Sequence, residues 1–312
     1  MWSWTRVAAL AGMASLVTAG VAACGQQRGA RPGAAQATGG PAGAVHAVQA
    51  AYAATMKART ATFQLVETVQ AKSASGSHQS ATVTGSGRVD FAANSFAEST
   101  NTIRVVNGAA AATGAIKILV VNGAAGTEYI RVSAAARRQI PGHKAWVSID
   151  LTKVRPGKAS KSSPLAWAGD PAWALWHLLA VSSGVSQAGH ATVAGVPATE
   201  YRAQVSLDKV AAKVQATEGA RDAQLVRGEI KALSIASLPV EVWIDARHLI
   251  RQIRFQAPVP AAATGGRSSG KAGATIIFTG FGAPVHFTPP PASQTADITN
   301  QLSRQRAQAS SG

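Results

Sequence analysis

Leu238-Pro239-Val240-Glu241-Val242-Trp243-Ile244-Asp245, followed three residues later by Leu249-Ile250-Arg251-Gln252-Ile253, reads as two successive strands. Val240 and Val242 alternate with Glu241 and Trp243, so one face is apolar and the other mixed. That period of two belongs to a strand with one side on a core. The β-branched and aromatic content suits a pleated surface. Upstream, Gly195-Val196-Pro197-Ala198-Thr199-Glu200-Tyr201-Arg202 is a turn feeding another strand.

Working outward, the same signals recur. Residues 62–69 place Phe63 and Leu65 on one face and Gln64 and Thr68 on the other, with Val66 and Val69 apolar on either side. Further strands are expected over 81–91, 95–106, 116–121, 128–132, 146–151, 191–194, 199–207, 249–255 and 274–281, most of them separated by Gly, Asn or Ser. Val45, Val48, Tyr52 and Met56, spaced three and four apart, put one apolar stripe on a first helix over 44–59. Asp170-Pro171 is a helix start, since Asp accepts from free N–H groups and Pro at the first helical position loses none. That helix, 171–181, is apolar on nearly every side and must be buried or cover a cavity. Residues 208–233, rich in Ala, Lys, Gln and Glu, read as a third helix weakened by Gly219 and Gly228. The stretch 261–272 has the composition of a loop. Helix, strands, helix, strands, helix, strands is the order of an α+β domain with a meandering antiparallel sheet.

The two opening segments, with Met56-Lys57-Ala58-Arg59-Thr60 before Phe63, Gly85-Ser86-Gly87-Arg88-Val89-Asp90-Phe91, and Tyr129-Ile130 ahead of Trp146, resemble the actinobacterial LolA-like lipoproteins of the LppX/LprG group. The resemblance runs over about residues 44–281. It implies a curved antiparallel half-barrel sheet closed by helices over an apolar cavity for acyl chains, and a role in carrying lipids or lipoproteins across the envelope. The chain departs from the group at 208–233 and at the Gly/Ser loop before the last strand. Phe63, Leu65, Trp146, Trp173, Trp176 and Leu179 are the cavity-lining candidates, lipid chains being held by buried area at about 0.8 kcal/mol per CH₂. A filled core is the competing reading, for Trp173 and Trp176 in particular. For Trp243, packing across strands accounts for the residue.

The N-terminus adds an address. Arg6 supplies a positive charge, residues 7–21 an uncharged apolar run, and Val21-Ala22-Ala23 the small residues a peptidase needs before Cys24, the only cysteine. One Cys makes no internal disulfide. The pattern resembles a bacterial lipoprotein signal, in which Cys24 is the lipidation site, carrying diacylglycerol and fatty chains such as palmitate. The mature chain is then lipid-anchored on the extracytoplasmic face of the cell membrane, resting on it and not spanning it. An ordinary secretory signal with a chance Cys, or an uncleaved anchor, is the alternative. The expected organisation is a signal peptide at 1–23, a flexible tether at 24–43 with a span of roughly 25 Å, a lipid-binding domain at 44–288 and a disordered tail at 289–312.

The formal charge is +16, and +15 after loss of Arg6 with the leader. Such a chain favours anionic partners, here lipid headgroups or wall polyanions, the export signal arguing against nucleic acid. Scattered solubility charge is the plain alternative, as no run of five cations exists. The oligomeric state is not legible.

Catalytic chemistry finds no support. His46, His78, His143, His177, His190, His248 and His286 show no metal spacing, and nothing calls for a cofactor. Ser206-Leu207-Asp208-Lys209 matches the short S-x-x-K pattern without its companion motifs. Two function classes lead, a lipid or lipoprotein carrier and an envelope sensor or protein-interaction module on the same fold; an exported enzyme is the third and would need convergent polar groups in a pocket.

Overall fold

The computed structural model describes residues 41–73, 76–106, 109–121, 126–134, 136–150, 153, 171–181, 184–233, 235–259 and 268–310. The leader, Cys24 and most of the tether lie outside them. Among the described residues no helix is long and apolar enough to cross a membrane.

The chain opens with helix α1 (Pro41–Lys57) and then lays down six strands: β1 (Thr60–Ser73), β2 (His78–Asp90), β3 (Ser95–Val106), β4 (Ala109–Val121), β5 (Thr127–Arg131) and β6 (Trp146–Asp150). The short helix α2 (Pro171–Trp176) tightens into a 3₁₀ turn (His177–Ala180) and leads to β7 (Ser186–Val193) and β8 (Val196–Ser206). Helices α3 (Leu207–Glu218) and α4 (Ala220–Leu233) precede β9 (Ser237–Asp245), β10 (Ile250–Val259) and β11 (Ser268–Thr279). Strand β12 (Thr295–Asp297) and helix α5 (Thr299–Ser310) finish the described chain.

All twelve strands form one sheet in the order β12-β6-β5-β4-β3-β2-β1-β11-β10-β9-β8-β7. Every pairing is antiparallel except β12 with β6. The sheet is curved but open, with β12 at one margin and β7 at the other, unpaired with each other. This corrects the expected half-barrel closed over an apolar cavity. The physical reason is visible at both margins: among the described strands β7 pairs with β8 alone, and the opposite margin is taken by the chain's own β12.

One face of the sheet carries the core. Ala61, Phe63 and Leu65 of β1, Ala274, Ile276 and Phe278 of β11, Ile253 and Phe255 of β10, and Val240 and Val242 of β9 are buried on it. Their partners in register share the face, as Phe63 with Phe278 and Leu65 with Ile276. Val48 and Ala51 of α1, Leu175 of α2, Leu178 of the 3₁₀ turn after it, and Val210, Ala211 and Val214 of α3 pack into the same cluster. Full burial of a Phe or Leu contributes about 1.5–3 kcal/mol, so this layer supplies the main stabilisation.

Three sequence expectations change. Residues 208–233 form two helices, split at Gly219, whose φ of 107° a residue with a Cβ rarely adopts. Residues 268–272, read as loop, extend β11 against β1, where the added Cβ of any substitute for Gly270 would strike the Gln70 backbone. Residues 289–312, read as a disordered tail, hold β12 and α5. Thr60 Oγ1 donates to the Ala283 carbonyl at 2.7 Å, and Lys144 Nζ to the Ser293 carbonyl at 2.6 Å. The strap between them links β1 to the β6 margin, five strand spacings or roughly 24 Å away. Ile298 N–H donates to the Ser148 carbonyl, Thr299 Oγ1 accepts from Asp150 N–H, and Ile298 and Leu302 pack on the core. Polar composition hid the few apolar side chains that fix this segment.

Gly87 lies opposite Phe63, and a Cβ there would come within 2.7 Å of the Phe63 ring and strike the Ala97 carbonyl. Gly87→Ala is therefore expected to lower unfolding free energy by about 1–3 kcal/mol, measured by urea titration, with Gly43→Ala, where the new Cβ meets open space, as the near-neutral control.

Candidate functional site

Helix α2 is the element with the least ordinary composition: Pro171-Ala172-Trp173-Ala174-Leu175-Trp176-His177-Leu178-Leu179-Ala180 has no charged residue other than His177. Pro171 suits a first turn; Asp170, its expected cap, lies outside the described residues. The α-helix is shorter than expected because the chain must turn into the sheet margin. Val181 takes an extended conformation (φ −69°, ψ 125°) and forms a bridge to Val205.

Ala174, Leu175 and Leu178 are fully buried against the sheet, whereas Trp176 and Leu179 are half-buried. His177 is fully buried, its ring edge-on to Trp176 at 6.0 Å and to Phe255 at 6.2 Å. It is a core histidine wedged between α2 and β10. Gln49 Nε2 of α1 donates to the Val181 carbonyl at 3.4 Å, and Tyr52 and Met56 of α1 line the same layer, half-buried.

The lining candidates do not form one set. Phe63 and Leu65 are in the packed core, 0% and 2% exposed. Trp176 and Leu179 sit at the outer margin of that layer. The side chain of Trp173 lies outside the described ones. Trp146 is on the other face: Val147 shares the face of Ile130, Ile118, Glu98, Gly87 and Phe63 through successive register partners, and Trp146 alternates with Val147. A cavity lined by all six is excluded by this alternation.

Sequence reading missed the lock that orients α1. Asp245 Oδ1 accepts from the N–H groups of Arg247 and Leu249, both at 2.9 Å, while Nε and Nη2 of Arg251 reach its Oδ2 at 2.7 Å. Arg251 also lies 5.1 Å over the Phe281 ring. These bonds hold the β9–β10 turn, in which His248 takes a φ of 60°. Beside it, the buried Thr55 hydroxyl accepts from Ile250 N–H at 2.9 Å, joining α1 to the turn. The signal was present as Ile244-Asp245 followed by Leu249-Ile250-Arg251, but nothing local announces Thr55. Trp243 is buried on the opposite face with Val193, Ala198 and Ile277, under Arg254 at 5.3 Å. Ser206, the first member of the S-x-x-K match, caps α3 by accepting from Lys209 N–H at 3.4 Å. Capping explains that spacing without chemistry. Among the described residues no three of His, Cys, Asp and Glu converge as a metal site.

No family model matches the chain. No curated protein matches it either. Among solved structures it is similar to the Mycobacterium tuberculosis lipoprotein LppX, at 10% identity over 79% of this chain and 99% of that one, with a TM-score of 0.42. LprF from Mycobacterium bovis matches at 16% identity over 81% and 100%, with a TM-score of 0.39. A putative outer membrane lipoprotein-sorting protein domain from Vibrio parahaemolyticus matches at 8% identity over 84% and 97%, with a TM-score of 0.28. Likeness this distant assigns no function, which rests on the residues of this chain.

Burial raises the Tyr52 phenol above its ordinary value of 10.0. The unfolded chain therefore ionises first as pH climbs past about 10, and the contribution of Tyr52 to stability, whole below that pH, is lost above it. Tyr52→Phe is expected to flatten the alkaline fall in stability, measured by urea unfolding across about pH 9 to 11.

Proposed function

We propose that the chain is a membrane-anchored extracytoplasmic lipoprotein that takes lipid acyl chains against α2 and the open sheet beneath it, for lipid or lipoprotein transport in the cell envelope. Residues 1–23 act as leader, Cys24 as the acylated first residue, and 24–43 as tether and helix entry. The observation that carries the reading is a helix and 3₁₀ turn without a polar face, whose Leu175 and Leu178 are buried while Trp176 and Leu179 remain half-buried. Helices in water show a polar side to solvent; this one has none, and its Trp176 and the Leu179 that follows are only partly covered. An acyl chain laid along Trp176 and Leu179 would complete their burial at about 0.8 kcal/mol per CH₂. Because the core below is packed, uptake occurs at the margin of α2 or with its displacement.

The packed core also supports a second reading, the sensor or interaction module, in which no lipid is held. Against it, Val66 is the one large apolar side chain exposed among the described residues, so a broad apolar docking patch is absent from them.

The chain from residue 24 with Cys24→Ser, expressed in a bacterial host and examined by native mass spectrometry with organic extraction, is expected to carry about one lipid per chain. Trp176→Ser with Leu179→Ser is expected to reduce that occupancy roughly tenfold or more. A bare mass that stays bare after incubation with mixed lipids would reject the carrier reading in favour of the interaction module.

A further inference from the structure

The face of the sheet opposite the core places two cations directly against each other. Lys117 of β4 and Arg131 of β5 are register partners, both exposed, with Cβ atoms about 5 Å apart in such pairs. Neither makes an ion pair among the described residues. Like charges directly opposite destabilise a sheet, so the pair is a cost that packing does not explain. Arg131 is in turn the partner of Trp146, and the neighbouring row holds Leu119 and Tyr129. Trp146 and Tyr129 are both half-buried. The β5–β6 connection, 132–145, adds Arg137, Arg138, His143 and Lys144 and contains no acidic residue. The acids nearest in the fold are engaged: Asp150 pairs with Lys153 at 3.2 Å, Asp297 Oδ1 accepts from Thr299 N–H at 2.8 Å, and Glu98 and Glu128 are buried on the core face.

We infer that the outer face of β4–β6, with Lys117, Arg131, Tyr129 and Trp146 at its centre, docks on an anionic phospholipid surface. Cations that repel one another in isolation gain a shared counterion in a layer of phosphate headgroups. Trp and Tyr favour the headgroup level, where one end of the ring is apolar and the other wet. Charge complementarity thus selects a membrane, and the cost of the Lys117–Arg131 pair is offset only when that surface is occupied. The inference shares with the proposed function only the membrane as setting: it requires neither acylation of Cys24 nor uptake of a lipid.

The test uses the chain from residue 24 with Cys24→Ser, which keeps every described residue and lacks the anchor, so loss of docking and loss of anchoring are separated. Cosedimentation is measured with phosphatidylcholine vesicles and with mixed phosphatidylcholine and phosphatidylglycerol vesicles. Binding is expected only to the anionic vesicles, and to weaken with salt. Lys117→Gln with Arg131→Gln is expected to lower the partition coefficient about fivefold per cation, roughly thirtyfold together, while raising the melting temperature by relieving repulsion. Lys57→Gln with Arg247→Gln, exposed cations elsewhere, is expected to change binding little. Equal loss in the two double variants, or wild-type binding that does not distinguish the vesicles, overturns the inference and leaves an acidic protein as the candidate occupant.

Discussion

The pairing of β1 with β11 is the constraint on which the rest of the structure depends. Twelve residue pairs, from Thr62 with Thr279 to Ser73 with Ser268, join segments about two hundred positions apart in the chain. On one side of this seam β2 to β6 follow in sequence order, and on the other β10 back to β7. Each half is a local meander, so its own hairpins close cheaply, while the seam carries the loop-closure entropy of the whole domain. The core becomes continuous only there, where Phe63 meets Phe278 and Leu65 meets Ile276. Glycines allow the backbones to approach: Gly87 under the Phe63 ring, Gly270 against Gln70.

An open sheet of this size leaves two margins, and each is managed by a different device. At one, β12 and α5 close the row by wrapping the C-terminal segment onto β6. At the other, β7 is largely exposed and bulged between Gln187 and Gly189, which disrupts the flat ladder another chain would need. The core face lies beneath α1, α2 and α3 over the C-terminal half, with α1 fixed by Thr55 to a turn that Asp245 and Arg251 hold. Removing one partner of such a buried pair strands the other charge, which makes the turn a rigid abutment and not a hinge. Helix α2 packs through the buried Ala174 and Leu175, and just beyond it Gln49 of α1 donates to the Val181 carbonyl at 3.4 Å.

Much of this was legible locally. Alternation gave the strands of β9, β10 and β1, and the spacing of Val45, Val48, Tyr52 and Met56 gave α1, because burial on one face imprints its period on the sequence. Closure was not legible, since nothing local states whether the first and last strands of a meander meet. Nor was the strap, where Ala296, Ile298 and Leu302 are too few to show a period. The candidate site was legible in part: α2 is conspicuous by composition, but the side of Trp146 depends on a chain of registers across six strands that no local window contains. Ser206 teaches the reverse lesson, a motif of catalytic appearance produced by a helix cap.

Whether acyl chains meet this protein at α2 is decided by light-driven crosslinking of a photoactivatable fatty acid, followed by peptide mass spectrometry. Label is expected to concentrate on residues 171–181, with Trp176 and Leu179 foremost. Label spread evenly over the surface, or concentrated away from α2, would contradict it.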